Sequence, residues 1–587
     1  MLAAGAWLLC CIVMLALFRQ DFAALAFRDP DDAMRLQQVR DWIGGQGWFD
    51  VTQYRVNPPM GGPMHWSRIV DLPIAGLILA LRPLFGVGTA EMLACAAVPL
   101  LLLGALTAAL FRAADKIGGR VVALTATLLL LTSPSILVQF TPLRIDHHGW
   151  QILMAAVALG GIFDARARRG GVIAGLTLAT WLQISSEGLP YAALIAAVLA
   201  LRGLIDAAET RRFVAYAGTL GPAALALLAA TQGMDALWAR HCDALSYVYV
   251  WPLVGLSAAI LLAWRLAGDA TLMRRLAVPA IGGGVALVLF LLTGGPCLSG
   301  DPFATLGPLA YRYWYLQVME GRPIWEQGLS MAGVILLPAL AGLGGALAAA
   351  RVGRGAARRD WLVLALLLGG ASAVSMLVMR ALSVAHLFAL PGLAWLLVAL
   401  FLRAQKSAHA AIRVAGSVAL AALSPAGLAA LWVAVAARPE PAQAKPGSDC
   451  RAAATLAPLK ALPPSLLFAP LDIGPDILVQ TRHGVIGTAH HRNAAGISAV
   501  IEGFMGTPDR ARGVIAALNG GRGADYVVTC AGLNEMAIYA KARPRGLAAR
   551  LARGEAPDWL RPVSTRGPLK IYRVLPGAKV KAAPFMQ

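Results

Sequence analysis

The sequence predicts a polytopic α-helical membrane protein of about thirteen transmembrane helices, followed by a small external α/β domain. Three observations carry this. Of 587 residues, 58% are hydrophobic and only 14% charged, whereas soluble domains carry roughly 25% charged residues. Apolar runs of about 18 residues, the length a bilayer requires, fill much of the chain. The basic clusters between the runs all fall on one side when the runs alternate.

The runs place spans at about 3–18, 91–112, 120–139, 149–164, 171–184, 189–204, 213–231, 250–266, 277–293, 328–350, 361–379, 385–403 and 413–436. The first, LAAGAWLLCCIVMLALF, lacks a basic leader and a small-residue cleavage site, and it reads as a retained signal anchor. Arg112 with Lys116 and Arg120, Arg166 with Arg168 and Arg169, Arg211 with Arg212, Arg274 with Arg275, RVGRGAARR from Arg351, and Arg403 with Lys406 share one side. The positive-inside rule makes that side cytoplasmic. The N-terminus is then inside, and the tail faces the periplasm of a bacterial inner membrane.

This orientation puts the segment 19–90, the RIDHH loop, the loop around Glu320, the helix end at Arg380 and the tail on the outer face. The expected domains are a membrane domain over 1–436, a linker over 437–450 containing ARPEPAQAKPGSD, and an external domain over 451–587. Strand-like runs LLFAP, DILVQT, ADYVVTC and LKIYRV alternate there with helical stretches such as 531–553. From 441 onward the tail holds 19 Lys and Arg against 9 Asp and Glu, about half of the +20 net charge. An anionic partner suits that balance; nucleic acid is not expected outside a membrane.

Cys10, Cys11 and Cys95 lie in apolar spans, whereas Cys242, Cys297, Cys450 and Cys530 fall on outer segments. An even number of thiols on the oxidising side suits disulfides. Cys450 ends the linker and Cys530 closes ADYVVTC, so a bridge between them is expected. Cys242 and Cys297 could form a second bridge or exchange partners with the first pair. No CxxC spacing exists, so zinc is not expected.

The outer segments hold the chemistry. FRDPDDAMRLQQVRDW puts Asp29, Asp31 and Asp32 within four residues. Mg²⁺ and Mn²⁺ take such carboxylates together with substrate phosphate. The same DPDD is a good helix N-cap with Pro near N1, and the two readings are compatible. IDHH offers Asp146 with His147 or His148, and ionisable groups at the mouth of a span default to function. Glu320 lies in YLQVMEGRPIW and Arg380 in VMRALSVAHLFALP. A guanidinium there suits bidentate phosphate recognition or simple snorkelling to the interface. Glu187, in ISSEGLPY, is also near the outer face, without an assigned task.

The order of these motifs resembles the catalytic subunit of oligosaccharyltransferases, which have thirteen spans and the GT-C glycosyltransferase fold. The matching features are the Asp-rich loop entering a helix with Arg35, HW at 65–66, DHH at 146–148, VMEGRP, an Arg at an outer helix end and an external C-terminal domain. The resemblance implies that Asp32 or Asp29 binds a divalent metal (Mg²⁺ or Mn²⁺) and helps activate the acceptor. It further implies that Asp146, His148 and Glu320 are metal ligands, with Glu320 also catalytic, and that Arg380 holds the donor phosphate. Arg35, His65, Trp66, Arg68, Arg144 and His147, within or beside these motifs, are expected at the substrate.

The implied partners are a polyprenyl-linked sugar donor in the lipid bilayer and a protein, lipid or polysaccharide acceptor. The family's acceptor signature WWDYG is absent; the nearest feature is LDIGPDILVQTRHGVIGTAHHRN. An Asn-x-Ser/Thr acceptor is therefore not implied. The nearest alternative enzyme uses polyprenyl-monophosphate sugars on lipid or envelope polysaccharide. A transporter or flippase would show internal repeats with charges near the midplane, whereas here the charges gather at one face. A non-catalytic scaffold binding cell-wall components is the remaining class.

Overall fold

The computed structural model describes residues 2–301, 303, 306–436, 450–565 and 567–576. Most of the expected linker, 437–449, lies outside them. The chain is a mostly helical, multi-pass membrane protein. Among the described residues, 8 helices are long and apolar enough to cross a bilayer, or 9 if Ala410–Leu423 and Pro425–Ala436, bent by 79°, make one span. Leu2–Leu17 and His148–Ile162 are shorter apolar helices.

Two of the expected spans run together as Val87–Leu130, which breaks at Gly119 with φ 79°. Glycine is the residue that adopts this left-handed conformation without a steric penalty. The helices approach closely through small residues. A Cβ at Gly171 would overlap Arg212 O, and one at Gly175 would lie 2.6 Å from Tyr216 O. Helices Ala167–Ile184 and Ala207–Gln232 therefore meet along a G-x-x-x-G face, a packing mode that serves where lipid offers no hydrophobic drive.

Residues 450–576 contain a five-stranded sheet in the order Gly484–Val485, Leu466–Phe468, Tyr526–Cys530, Leu569–Val574, Leu560–Ser564. The first two pairings are parallel and the last two antiparallel. DILVQT, expected as a strand, is helical over Gly474–Gln480. Pro475 starts the helix, Asp476 pairs with Arg451 at 2.7 Å, and the helix packs on Pro30–Ile43. Its apolar centre, Ile477–Val479, is too short for periodicity to tell strand from buried helix. Cys450 is bonded to Cys530 and Cys242 to Cys297.

The segment after Pro30–Ile43 joins this sheet at its edge. Val56 bridges Val485 in parallel, Val485 N donates to Arg55 O, and Asn57 N donates to Val485 O. Arg55 reaches the carbonyls of Leu478 and Thr481, and Arg40 that of Val479. Helix Pro30–Ile43 and its acidic start are thereby fixed between the membrane helices and the C-terminal sheet.

Candidate active site

A cavity of about 790 Å³ lies where the first-loop helix, the membrane helices and the C-terminal domain meet. Its lining includes Asp31, His65, His147, Glu187, Glu320 and Arg380. The three carboxylates of DPDD take different tasks. Asp29 is the N-cap of Pro30–Ile43 and accepts the N–H of Asp31 at 3.0 Å, with Pro30 at the first helical position. Asp32 turns inward, where its Oδ1 accepts the N–H groups of Ile145 and Asp146 at 2.8 and 2.9 Å. Asp31 faces the cavity.

Arg144 occupies the middle of the set expected to hold a metal. Its guanidinium lies 2.5 Å from Asp29 Oδ2, 3.0 Å from Asp32 Oδ2 and 3.0 Å from Asp146 Oδ2. Asp29 and Asp32 are therefore committed to a guanidinium, which supplies the positive charge their closeness demands. Asp29 and Asp31 both line the cavity, and Asp31 is the one not held by Arg144, with His490 Nε2 3.2 Å from its Oδ1. Burial opposes its ionisation, but the facing His490 holds the Asp31 carboxyl well below the usual carboxylate range.

Asp146 accepts the N–H of His148 at 3.0 Å, and His148 Nε2 lies 3.6 Å from its Oδ2. The imidazoles of His147 and His148 stand 4.4 Å apart. Burial, and then His148, depress the His147 pKa to about 3, so it is neutral near pH 7. Two buried imidazole nitrogens at the cavity, His65 Nδ1 and His147 Nδ1, lack a hydrogen-bond partner. Orphaned buried donors and acceptors are uncommon and demand an explanation.

Arg380 is gripped by two carboxylates, Glu187 at 2.6 Å and Glu320 at 3.6 Å, and its buried Nε has no partner. Burial pushes the Glu320 carboxyl up. Glu187, left without a task by the sequence, therefore orients the cation. Arg35 and Arg68 do not reach the cavity. Both are fully buried around Asp71, at 3.0 and 3.3 Å, and Arg35 lies over the Trp66 ring. Both guanidinium groups are engaged at Asp71. They hold the turn that carries His65 and Trp66, both of which line the cavity.

His490, His491 and Asp243 also line it, and sequence reasoning missed all three. The available signal was the spacing of histidines: four of the nine occur as HH pairs, at 147–148 and 490–491. On the C-terminal wall, Glu535 accepts the N–H groups of Leu471 and Asp472 at 2.9 and 3.0 Å and the Tyr539 hydroxyl at 2.9 Å. Burial, and then the charge of Asp472, raise its pKa to about 8. A carboxyl raised on folding binds more protons folded than unfolded, so its stabilisation is complete below the unfolded value and is lost as pH rises through about 8. Glu535→Gln in the full chain is expected to flatten the melting temperature between pH 5 and 8, where the parent declines. Parallel curves would exclude Glu535 as the titrating group.

No family model matches the chain, and no curated protein sequence matches it. Solved structures do. Archaeal oligosaccharyltransferase AglB from Archaeoglobus fulgidus, in complex with an inhibitory peptide and a dolichol-phosphate, superposes with TM-score 0.67 at 14% identity, over 97% of this chain and 74% of that one. The same enzyme tethered to an acceptor peptide containing the NVT sequon gives 0.63 at 14% identity, over 98% and 74%. Its complex with Zn and sulfate gives 0.57 at 15% identity, over 97% and 73%. Along nearly its whole length, this chain has the fold of the oligosaccharyltransferase-like GT-C glycosyltransferases.

Proposed function

We propose that the chain is a glycosyltransferase that moves a sugar or oligosaccharide from a polyprenyl-phosphate or polyprenyl-diphosphate carrier to an acceptor at the outer face of the cytoplasmic membrane. The observation that carries this reading is one cavity, at the end of an apolar helix bundle, lined by both Asp31 and Arg380. Thirteen spanning passes, a cytoplasmic N-terminus and a periplasmic C-terminal domain complete the proposal. The two disulfides support that orientation, because such bonds persist in oxidising compartments.

Breaking the anomeric C–O bond builds negative charge on the departing phosphate. Arg380, oriented by Glu187 and Glu320, meets that charge with a preorganised fork. Asp31 orients the acceptor and receives its proton. A carboxylate of low pKa suffices because the acceptor becomes strongly acidic once its bond to the anomeric carbon has formed. The unpartnered His147 Nδ1 and the Asp31 carboxylate, with Asp146 paired to Arg144 behind them, are the donors that would be offered to a divalent cation. Such a cation, when bound, would stabilise the departing phosphate as a Lewis acid. Asp32 and Asp29 act behind Asp31, by fixing Arg144 and starting the helix.

Mass spectrometry of lipid-linked sugars and envelope glycans, with and without the gene, tests the reading. Loss of the gene is expected to leave a polyprenyl-linked sugar unconsumed and one protein, lipid or polysaccharide glycan missing; identical profiles would overturn the proposal. Arg380→Lys replaces a bidentate fork with a point charge. Loss of a charged hydrogen bond of roughly 1.5–3 kcal/mol predicts about a ten- to hundred-fold fall in kcat/KM for donor. An unchanged value in the Lys variant would reduce Arg380 to an interfacial anchor.

A further inference from the structure

A second constellation lies on the cavity wall, apart from Asp31 and Arg380. His65 comes from the turn after Gly62–Pro63, Asp243 from the segment before Tyr247–Ala267, and His491 from the C-terminal domain. Ligand atoms of all three lie within 4.8 Å of one another. No other three His, Cys, Asp or Glu side chains among the described residues converge so closely. His491 Nε2 is 2.7 Å from Asp243 Oδ2, and the two imidazole centroids are 4.5 Å apart. His65 Nδ1 is buried without a hydrogen-bond partner.

We propose that His65, Asp243 and His491 form a metal site for a zinc-class ion, with one coordination position left open to the cavity. Two imidazoles and one carboxylate are borderline donors that suit Zn²⁺ over Mg²⁺ or Mn²⁺. Tetrahedral zinc with ligands at about 2.0–2.1 Å holds them roughly 3.3 Å apart, so side-chain shifts of about an ångström or so close the observed cluster. Asp243 is well placed to stay rigid, because its neighbour Cys242 is bonded to Cys297. Arg492 holds the same carboxylate, with Nε 2.8 Å from Oδ2 and Nη2 3.2 Å from Oδ1, and its Nη1 donates to Met64 O. A ligating carboxylate that is itself hydrogen-bonded is the usual outer-shell arrangement. With three protein ligands, the fourth position accepts water or an anionic oxygen of a substrate. The ion would also fasten three chain segments across one wall of the cavity. The competing arrangement uses Arg492 as the sole cation, leaving an ion-pair network with no metal.

The test reads metal content, independently of transfer. Full-length protein purified in detergent is stripped with chelator, mixed with Zn²⁺ alone, gel-filtered and analysed by mass spectrometry for zinc per chain. The parent is expected to retain one zinc more than His491→Ala and Asp243→Asn, and Asp146→Asn is expected to keep that zinc. X-ray absorption at the zinc edge should show two imidazoles for this ion. His65→Gln and His491→Asn keep polar side chains in the network; should the first variants not fold, these are expected to lose the zinc and the rise in melting temperature that zinc gives the parent. Equal zinc content in parent and variants overturns the proposal, as does a parent that retains none at micromolar zinc. Loss of this zinc on Asp146→Asn would assign it to the Asp31–Asp146 region and overturn the proposal too.

Discussion

Asp31→Asn is expected to lower turnover by about 10²–10⁴-fold, the range for removing a positioned acid–base group. Asp29→Asn is expected to retain most activity, because asparagine caps a helix as well as aspartate does and Asp29 already serves as the cap. The comparison is decisive because the two residues lie two positions apart, at the cap and in the first turn, and carry the same charge. Formation of the gene-dependent glycan in cells carrying each variant provides the measurement. An active Asp31→Asn enzyme beside an inactive Asp29→Asn enzyme would move the acceptor-facing role back to the cap.

Removing Arg144 is expected to have the largest effect on stability. Its guanidinium serves three carboxylates, and the side chains of Asp32 and Asp146 are only 2% and 1% exposed. Arg144→Met leaves those charges buried and unpaired, a loss of about 3–5 kcal/mol for a broken buried pair. Thermal unfolding of detergent-purified protein, followed by tryptophan fluorescence and gel filtration, is the check. Arg144→Met with Asp32→Asn should recover part of the loss, since contacting residues are not additive. A single variant that melts with the parent would mean the acidic cluster finds its compensation elsewhere.

These two assignments show what was legible beforehand. The apolar helices and the Cys450–Cys530 pairing could be read from hydropathy and the placement of the cysteines. The choice among Asp29, Asp31 and Asp32 could not. Successive residues of a helix point about 100° apart, so the direction of each carboxylate depends on what surrounds the helix. Here that surrounding is Arg144, 112 positions away in sequence from Asp32. The surroundings of Arg35 and Arg68 are hidden for the same reason: Asp71 closes a buried network with both, and no local pattern announces it. In the sequence, His490 and His491 stand out only as an HH pair. Their relation to Asp31, Asp243 and His65 spans hundreds of residues, and no local spacing reports it.

The bridge between Val56 and Val485 has a consequence for the order of events during synthesis. The two residues leave the ribosome 429 positions apart, which at 5–20 residues per second is an interval of roughly 20 to 90 s. Through that time Arg40 and Arg55 lack the carbonyls they hold in the finished protein, and helix Pro30–Ile43 has no C-terminal wall to rest on. The cavity is likewise incomplete, because its C-terminal wall, from Asp472 to Tyr539, is made after every membrane helix. A partly made chain therefore carries every membrane helix yet cannot present Asp31 in working position. Under the proposed function, premature termination upstream of residue 484 is therefore expected to give an inserted protein without transfer activity.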